Sequence, residues 1–161
     1  RVEEYEKHTD ELLEMFRLTD LQDRDGRLLS GGQMRRASLA IGIALQPEIL
    51  LLDEPTANLD IATRREIMKT LQMLKGVTDT VVIATHDMQL VCDWAERLIV
   101  LSSGYVIADG TKEEIFADMY VRQQVGIRPP QIYDMGRALG IENPCFTIDE
   151  FMGYFRGERY A

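Results

Sequence analysis

Leu29-Ser30-Gly31-Gly32-Gln33, then a helical run, then Ile49-Leu50-Leu51-Leu52-Asp53-Glu54-Pro55 and Asn58-Leu59-Asp60: the reading of the chain turns on this stretch. The first five residues form a small polar loop with two glycines that opens directly into a helix. The Ser30 hydroxyl can cap that helix by accepting a free backbone N–H, and glycines leave neighbouring N–H groups unobstructed. Such a helix start combines open donors with a positive dipole end, which suits an anion. Ile49 to Leu52 is a run of apolar residues ending in two carboxylates. It reads as a buried parallel strand with functional residues at its carboxyl end. An anion cradle followed by paired acids points to phosphate and a metal ion.

The flanking sequence reads as helices alternating with strands. Met34 to Leu45 reads as a helix with apolar residues at Met34, Ala37, Ala40, Ile41, Ala44 and Leu45, stopped before Pro47. Arg35 and Arg36 sit in its first turn, where the dipole disfavours cations. They read as solvated charge with an acidic neighbour nearby. Asp60 can cap a second helix that runs to about Lys75, with Ile67, Met68, Leu71 and Leu74 on one face and Gly76 as its stop. Thr80 to Thr85 is a β-branched run and the second strand, and His86 follows at once. Asp53, Glu54 and His86 therefore all fall just past the carboxyl ends of two strands. Parallel neighbours would place all three in one crevice.

Upstream, Arg1 to Arg17 has helical spacing, with His8 expected to face solvent, and residues 20–27 form a charged loop. Downstream, Met88 to Glu96 reads as a short helix. Leu98 to Leu101 and Tyr105 to Ala108 flank a Ser102-Ser103-Gly104 turn. Thr111 and Glu114 form a capping box that opens a helix through Met119. Gly126-Ile127-Arg128-Pro129-Pro130 reads as an extended linker. Beyond it, Ile132, Met135 and Leu139 form a helix stripe stopped by Gly140. Thr147 and Glu150 are a second capping box, leading into Phe151, Met152, Tyr154 and Phe155.

Composition narrows the class. A length of 161 residues suggests one domain with a small appendage. The net charge of -9 argues against a nucleic-acid surface, which needs clustered Lys and Arg. Cys92 and Cys145 have neither metal nor redox spacing and read as buried, reduced thiols. No apolar run approaches the roughly 20 residues of a membrane span, so any membrane link is expected through a partner. The chain begins at Arg1 rather than Met, which reads as a piece of something longer.

In order and spacing, these motifs resemble those of ABC transporter ATPases. Leu29 to Gln33 resembles the signature motif, Ile49 to Glu54 the Walker B strand with the catalytic glutamate, Asn58-Leu59-Asp60 the D-loop, and Ala84-Thr85-His86-Asp87 the switch-histidine segment. The tail resembles the C-terminal extension of ATPases from energy-coupling-factor and cobalt or nickel importers. The resemblance implies an α/β fold, a partial P-loop NTPase-type three-layer sandwich with a mostly parallel sheet plus a small helical C-terminal extension. Residues 1–125 would be the C-terminal part of the ATPase domain and residues 126–161 the extension.

The implied cofactors are ATP and Mg²⁺. Asp53 would hold Mg²⁺ through a water, Glu54 would act as general base, and His86 would meet the γ-phosphate. Ser30, Gly31, Gly32 and Gln33 would contact nucleotide held by a second ATPase subunit or domain, with Asn58, Leu59 and Asp60 on the same seam. The implied partners are that second subunit, identical or not, and membrane-embedded transport subunits, with no nucleic acid. The implied location is cytoplasmic, peripheral on the inner face of the cell membrane. The departure from the family is large: no Gly-Lys pair occurs anywhere, so the P-loop is missing, and neither a glutamine loop nor an adenine-stacking aromatic is identifiable. The chain alone is therefore expected to be inactive as an ATPase. Other classes compatible with the motifs are a non-transport ABC ATPase of DNA-repair or chromosome type and an inactive dimerisation module.

Overall fold

The computed structural model describes residues 2–157, with side chains from Tyr5 onward. Its elements run α1 (Val2–Met15), two 3-10 turns (Thr19–Leu21 and Gly26–Leu28), α2 (Gly31–Ala44), β1 (Ile49–Asp53), α3 (Ile61–Leu74), β2 (Thr80–Ala84), α4 (Met88–Trp94), β3 (Leu98–Ser102), β4 (Tyr105–Gly110), α5 (Lys112–Ala117), α6 (Met119–Val125), α7 (Gln131–Ala138) and α8 (Ile148–Arg156). They pack as two units, the first ending at His86 and the second beginning at Asp87.

In the first unit, β1 and β2 pair in parallel, from Ile49 opposite Thr80 to Asp53 opposite Ala84. Helix α3 is the crossover that parallel pairing requires. Asp60 caps it as expected, accepting the amides of Ala62 and Thr63. Ile67, Leu71 and Leu74 are buried on its inner face. Helix α2 packs on α1 and α3. It also lies against β1, where a Cβ added to Gly42 would stand 3.4 Å from Leu50 Cδ1.

Three burial readings are corrected here. Strand β1 is not buried on both faces: Leu50 is 8% exposed, but Ile49 and Leu51 are 60% and 72% exposed. The pleat sends alternate side chains to opposite faces, and α2 lies on the Leu50 face. Helix α2 buries Leu39, Ala40 and Ile43, while Met34, Ile41 and Leu45 are exposed. That helix is apolar on more than one face, so periodicity could not select the buried one. His8 is half-buried rather than solvent-facing, and its Nε2 is enclosed with no hydrogen-bond partner among the described residues.

In the second unit, β3 and β4 form the expected antiparallel hairpin. Ser103 (φ 51°) and Gly104 (φ 82°) both take left-handed conformations, the pattern of a two-residue type I′ turn. The helix opened by the Thr111 capping box ends earlier than expected. Asp118 accepts the amides of Tyr120 and Val121 and so starts α6 as a separate helix. Phe116, Tyr133 and Phe146 form an aromatic cluster together with Cys92, with the Phe116–Phe146 ring centroids 5.6 Å apart. Ile127 packs on this cluster, so the segment around Gly126 has a core that draws on both sides of it.

Lys112 adds a polar tie to that core. Its Nζ donates to the Cys92 carbonyl at 3.2 Å, lies 3.6 Å from Glu150 Oε1 and stands 5.1 Å from the Phe146 centroid. Both capping boxes form as read from the sequence. On α7 the buried residues are Tyr133 and Gly136, whereas Met135 and Leu139 are exposed. Ile132, the remaining member of the aliphatic stripe, is half-buried against Ile141, Cys145 and Phe151. Both cysteines are buried and free, and burial pushes the Cys92 thiol up to about 12.

Phe116 is fully enclosed, and nothing can collapse into its place without breaking the ring cluster. Phe116→Ala is expected to destabilise the second unit by about 3–5 kcal/mol. Tyr120→Ala, at a ring that is 66% exposed, is expected to cost within about 0.5 kcal/mol. Urea unfolding of the two variants checks the contrast.

Candidate active site

Glu54 stands one residue past β1, and the β ladder holds it there: its amide donates to the Ala84 carbonyl at 2.9 Å. Its φ is 43°, in the left-handed region that a long side chain rarely enters. Such a conformation persists where the surroundings over-determine it, and here every polar group of the residue is engaged. The carbonyl accepts from the Ala57 amide at 3.1 Å and from Arg35 Nη2 at 3.2 Å. One carboxylate oxygen accepts from the Thr85 hydroxyl at 2.9 Å. The other accepts from the His86 amide at 3.1 Å and contacts His86 Nδ1. The expected meeting of Glu54 and His86 therefore occurs.

The electrostatics of the carboxyl follow from these partners. Burial pushes the Glu54 carboxyl up. The hydrogen bonds from the His86 ring, the Thr85 hydroxyl and the His86 amide outweigh that push and hold the group below its ordinary range. Glu54 is thus an ionised, half-buried carboxylate whose side chain is already oriented, and His86 is 88% exposed beside it.

Asp53 closes β1 and is exposed. Among the described residues no group of three or more metal-binding side chains occurs. Asp53 supplies one exposed carboxylate, and Mg²⁺ can be held by a single carboxylate when waters and substrate phosphates fill its other positions. The oxygen donor set fits that ion.

At the other loop, Ser30 begins α2 with a complete capping box. Its hydroxyl accepts from the Gln33 amide at 3.3 Å, and its amide donates to Gln33 Oε1 at 2.9 Å. Only the cap by Ser30 was expected; the reciprocal bond from Gln33 is new. The box leaves the amides of Gly31 and Gly32 without an intrahelical acceptor. Gly31 is open, with nothing within 4 Å of an added Cβ, whereas Gly32 is packed tightly against α3. Residues 30–33 bond among themselves rather than to Glu54 or His86. In the 58–60 loop, Asn58 has φ 58°, a conformation asparagine tolerates. Leu59 is half-buried. Asp60 is held below the usual carboxylate range by the amide and then the hydroxyl of Thr63.

The reading of Arg35 and Arg36 as solvated charge is corrected. Arg35 reaches the Glu54 carbonyl, and Arg36 Nη1 bonds Glu66 Oε2 at 2.7 Å, the expected acidic neighbour. A cation set against a helix dipole has to find a partner, and that was the available signal. Thr85 was also missed, although a hydroxyl just before His86 at a strand end marks it.

The ABC transporter family model matches residues 2–57. The cobalt import ATP-binding protein CbiO of Rhodobacter capsulatus is 37% identical over 84% of this chain and 48% of its own length. The energy-coupling factor transporter ATP-binding protein EcfA1 of Caldanaerobacter subterraneus is 37% identical over 94% of this chain and 57% of its own. The chain belongs to the ABC transporter ATPase family. The structure of cbiO1 from Clostridium perfringens, part of the ABC transporter complex cbiONQ, superposes with a TM-score of 0.66 at 35% identity, covering 88% of this chain and 55% of that one. This ABC ATPase chain thus has part of the P-loop NTPase-type α/β fold of its neighbours, of which it covers 55% and 49%. It spans about half the length of the curated relatives it matches. Among the described residues no helix is long and apolar enough to cross a membrane.

Because the Glu54 pKa is lowered on folding, its carboxylate contributes stability above the ordinary glutamate value, about 4.3. That contribution is lost as pH falls through the lower, folded value. Thr85→Val removes one donor to the carboxylate, so the Glu54 titration midpoint is expected to move up. Carbon-13 NMR of the side-chain carboxyl across pH 2–7 reads the shift directly.

Proposed function

We propose that this chain is part of an ATP-hydrolysing subunit or domain of an ABC-type importer for a metal ion or a vitamin-class solute. Transport is driven by ATP-dependent dimerisation. The observation that carries this reading is the ionised Glu54 carboxylate at the end of β1, oriented by Thr85 and in contact with His86 beyond β2. The relatives, a cobalt import protein and energy-coupling factor transporter proteins, support the substrate class.

In this reading, bound ATP supplies the γ-phosphoryl group, and Mg²⁺ supplies charge neutralisation. Asp53 would hold the metal ion. Glu54 takes the proton of the attacking water as general base, and His86 donates to the γ-phosphate. The amides of Gly31 and Gly32 and the remaining donors of Ser30 and Gln33 meet nucleotide bound by the second ATPase subunit. Asn58, Leu59 and Asp60 lie on that same seam. The further partners are membrane-embedded transport subunits, and the location is cytoplasmic, peripheral on the inner face of the cell membrane. Residues 1–125 correspond to the ATPase part and residues 126–161 to the extension, a division by family resemblance rather than by packing.

In the complete protein, Glu54→Gln is expected to slow ATP hydrolysis by roughly 10²–10⁴-fold while leaving ATP binding in place. Turnover at the unmodified rate would remove Glu54 as the base. Copurification of the complete protein with membrane subunits checks the transport assignment, and recovery of the protein on DNA alone would sink it.

The 161-residue chain by itself is expected neither to hydrolyse ATP nor to bind it tightly. A triphosphate is gripped by a P-loop lysine and its backbone amides, and the paired acids repel it without a metal ion between them. Calorimetric titration with Mg-ATP tests this, and micromolar binding at one site per chain would refute it.

A further inference from the structure

Gly31 and Gly32 look alike in the sequence, but their surroundings differ. Around Gly31 there is space. Gly32 is buried in the first turn of α2, and a Cβ added there would lie 2.4 Å from Thr63 Cγ2 in the first turn of α3. Two heavy atoms cannot approach that closely, so one side would have to move.

Thr63 is poorly able to move. It is β-branched, which stiffens χ1, and both its polar groups are anchored to one residue. The Thr63 hydroxyl donates to Asp60 Oδ2 at 2.7 Å, and the Thr63 amide donates to Asp60 Oδ1 at 3.0 Å. Rotating the methyl away from Gly32 would pull the hydroxyl off Asp60. The bond to Asp60 therefore sets the rotamer that aims the methyl at Gly32.

We propose that Thr63 is a positioning residue that locks the 30–33 loop to the 58–60 loop through an Asp60–Thr63–Gly32 contact chain, so that the two loops answer bound nucleotide as one rigid body. This deepens the proposed ATPase reading and rests on it. A carboxylate fixes a side chain, and the side chain fixes the approach of a backbone. The demand for glycine at position 32 then arises inside this chain, not from the ligand.

The test is a double-mutant cycle with Gly32→Ala, Thr63→Ser and the two combined. Thr63→Ser keeps the hydroxyl that bonds Asp60 and removes the methyl that an alanine at 32 would strike. Thermal unfolding of the chain reads the contact. Gly32→Ala is expected to lower Tm by about 5 °C, and adding Thr63→Ser is expected to restore most of it. Sedimentation of the complete protein with Glu54→Gln as background reads the function. Gly32→Ala is expected to weaken ATP-dependent dimerisation about tenfold, and the combined variant to recover to within about threefold.

Recovery in both measurements supports the contact chain. Recovery of Tm without recovery of dimerisation overturns it, because glycine is then required by the nucleotide itself. Absence of recovery in Tm overturns the contact outright. Should Gly32→Ala fail to fold, Thr63→Val keeps the branched shape but frees it from Asp60. It is expected to weaken ATP-dependent dimerisation about fivefold, and unchanged dimerisation would overturn the proposal. A complete protein without mutations in these loops that shows no ATP response defeats the ATPase reading and this inference together. A normal ATP response with zero coupling in the cycle defeats this inference alone.

Discussion

The parallel pairing of β1 with β2 is the constraint on which the rest of the site depends. Its register sets Asp53 opposite Ala84, and the next ladder bond runs from the Glu54 amide to the Ala84 carbonyl. The two residues that follow Ala84 are Thr85 and His86, so both arrive at the Glu54 carboxylate without any loop having to reach for it. A slip of one residue would turn alternate side chains to the opposite face. Leu50 would then lose its place against α2, so the register that builds the site is the one that builds the core.

Around that register the chain spends its polar groups on one residue. Glu54 sits in a backbone conformation that costs energy for a non-glycine residue. Ladder, turn, guanidinium, hydroxyl and histidine all hold it there. The bonds from His86 and Thr85 also keep its carboxylate ionised although burial opposes this. Geometry and charge state therefore share a cause. Arg35 is instructive in this respect: a cation placed against the dipole of α2 gains little from its own helix and instead braces the strand end next door.

The helix starts of both units use one device repeatedly. Ser30, Thr111 and Thr147 each form a full capping box, and Asp60, Asp87 and Asp118 each accept two amides. These caps define where short helices begin in segments too short to hold helical structure by themselves. In the second unit the aromatic cluster of Phe116, Tyr133 and Phe146 supplies the burial that α5 and α7 need, and Lys112 ties α8 to it through Glu150.

What the sequence determined by itself was local chemistry. Caps, turns, the two strands and the order of the motifs were legible because each rests on neighbours within about four residues along the chain, as with Ser30 before α2, Asp60 before α3 and Ser103-Gly104 in the hairpin. The nearness of Glu54 to His86 was also within reach, since parallel strands align their carboxyl ends. Tertiary structure alone decided which face of α2 is buried, because that helix offers apolar residues on several faces and only its neighbours choose among them. It also decided the exposure of Ile49 and Leu51, the partners of Arg35 and Arg36, and the place of Tyr133 inside α7. It separated Gly31 from Gly32 as well: identical residues in the sequence, one in open space and one against the Thr63 methyl, since a close approach between two helices is a property of neither helix alone.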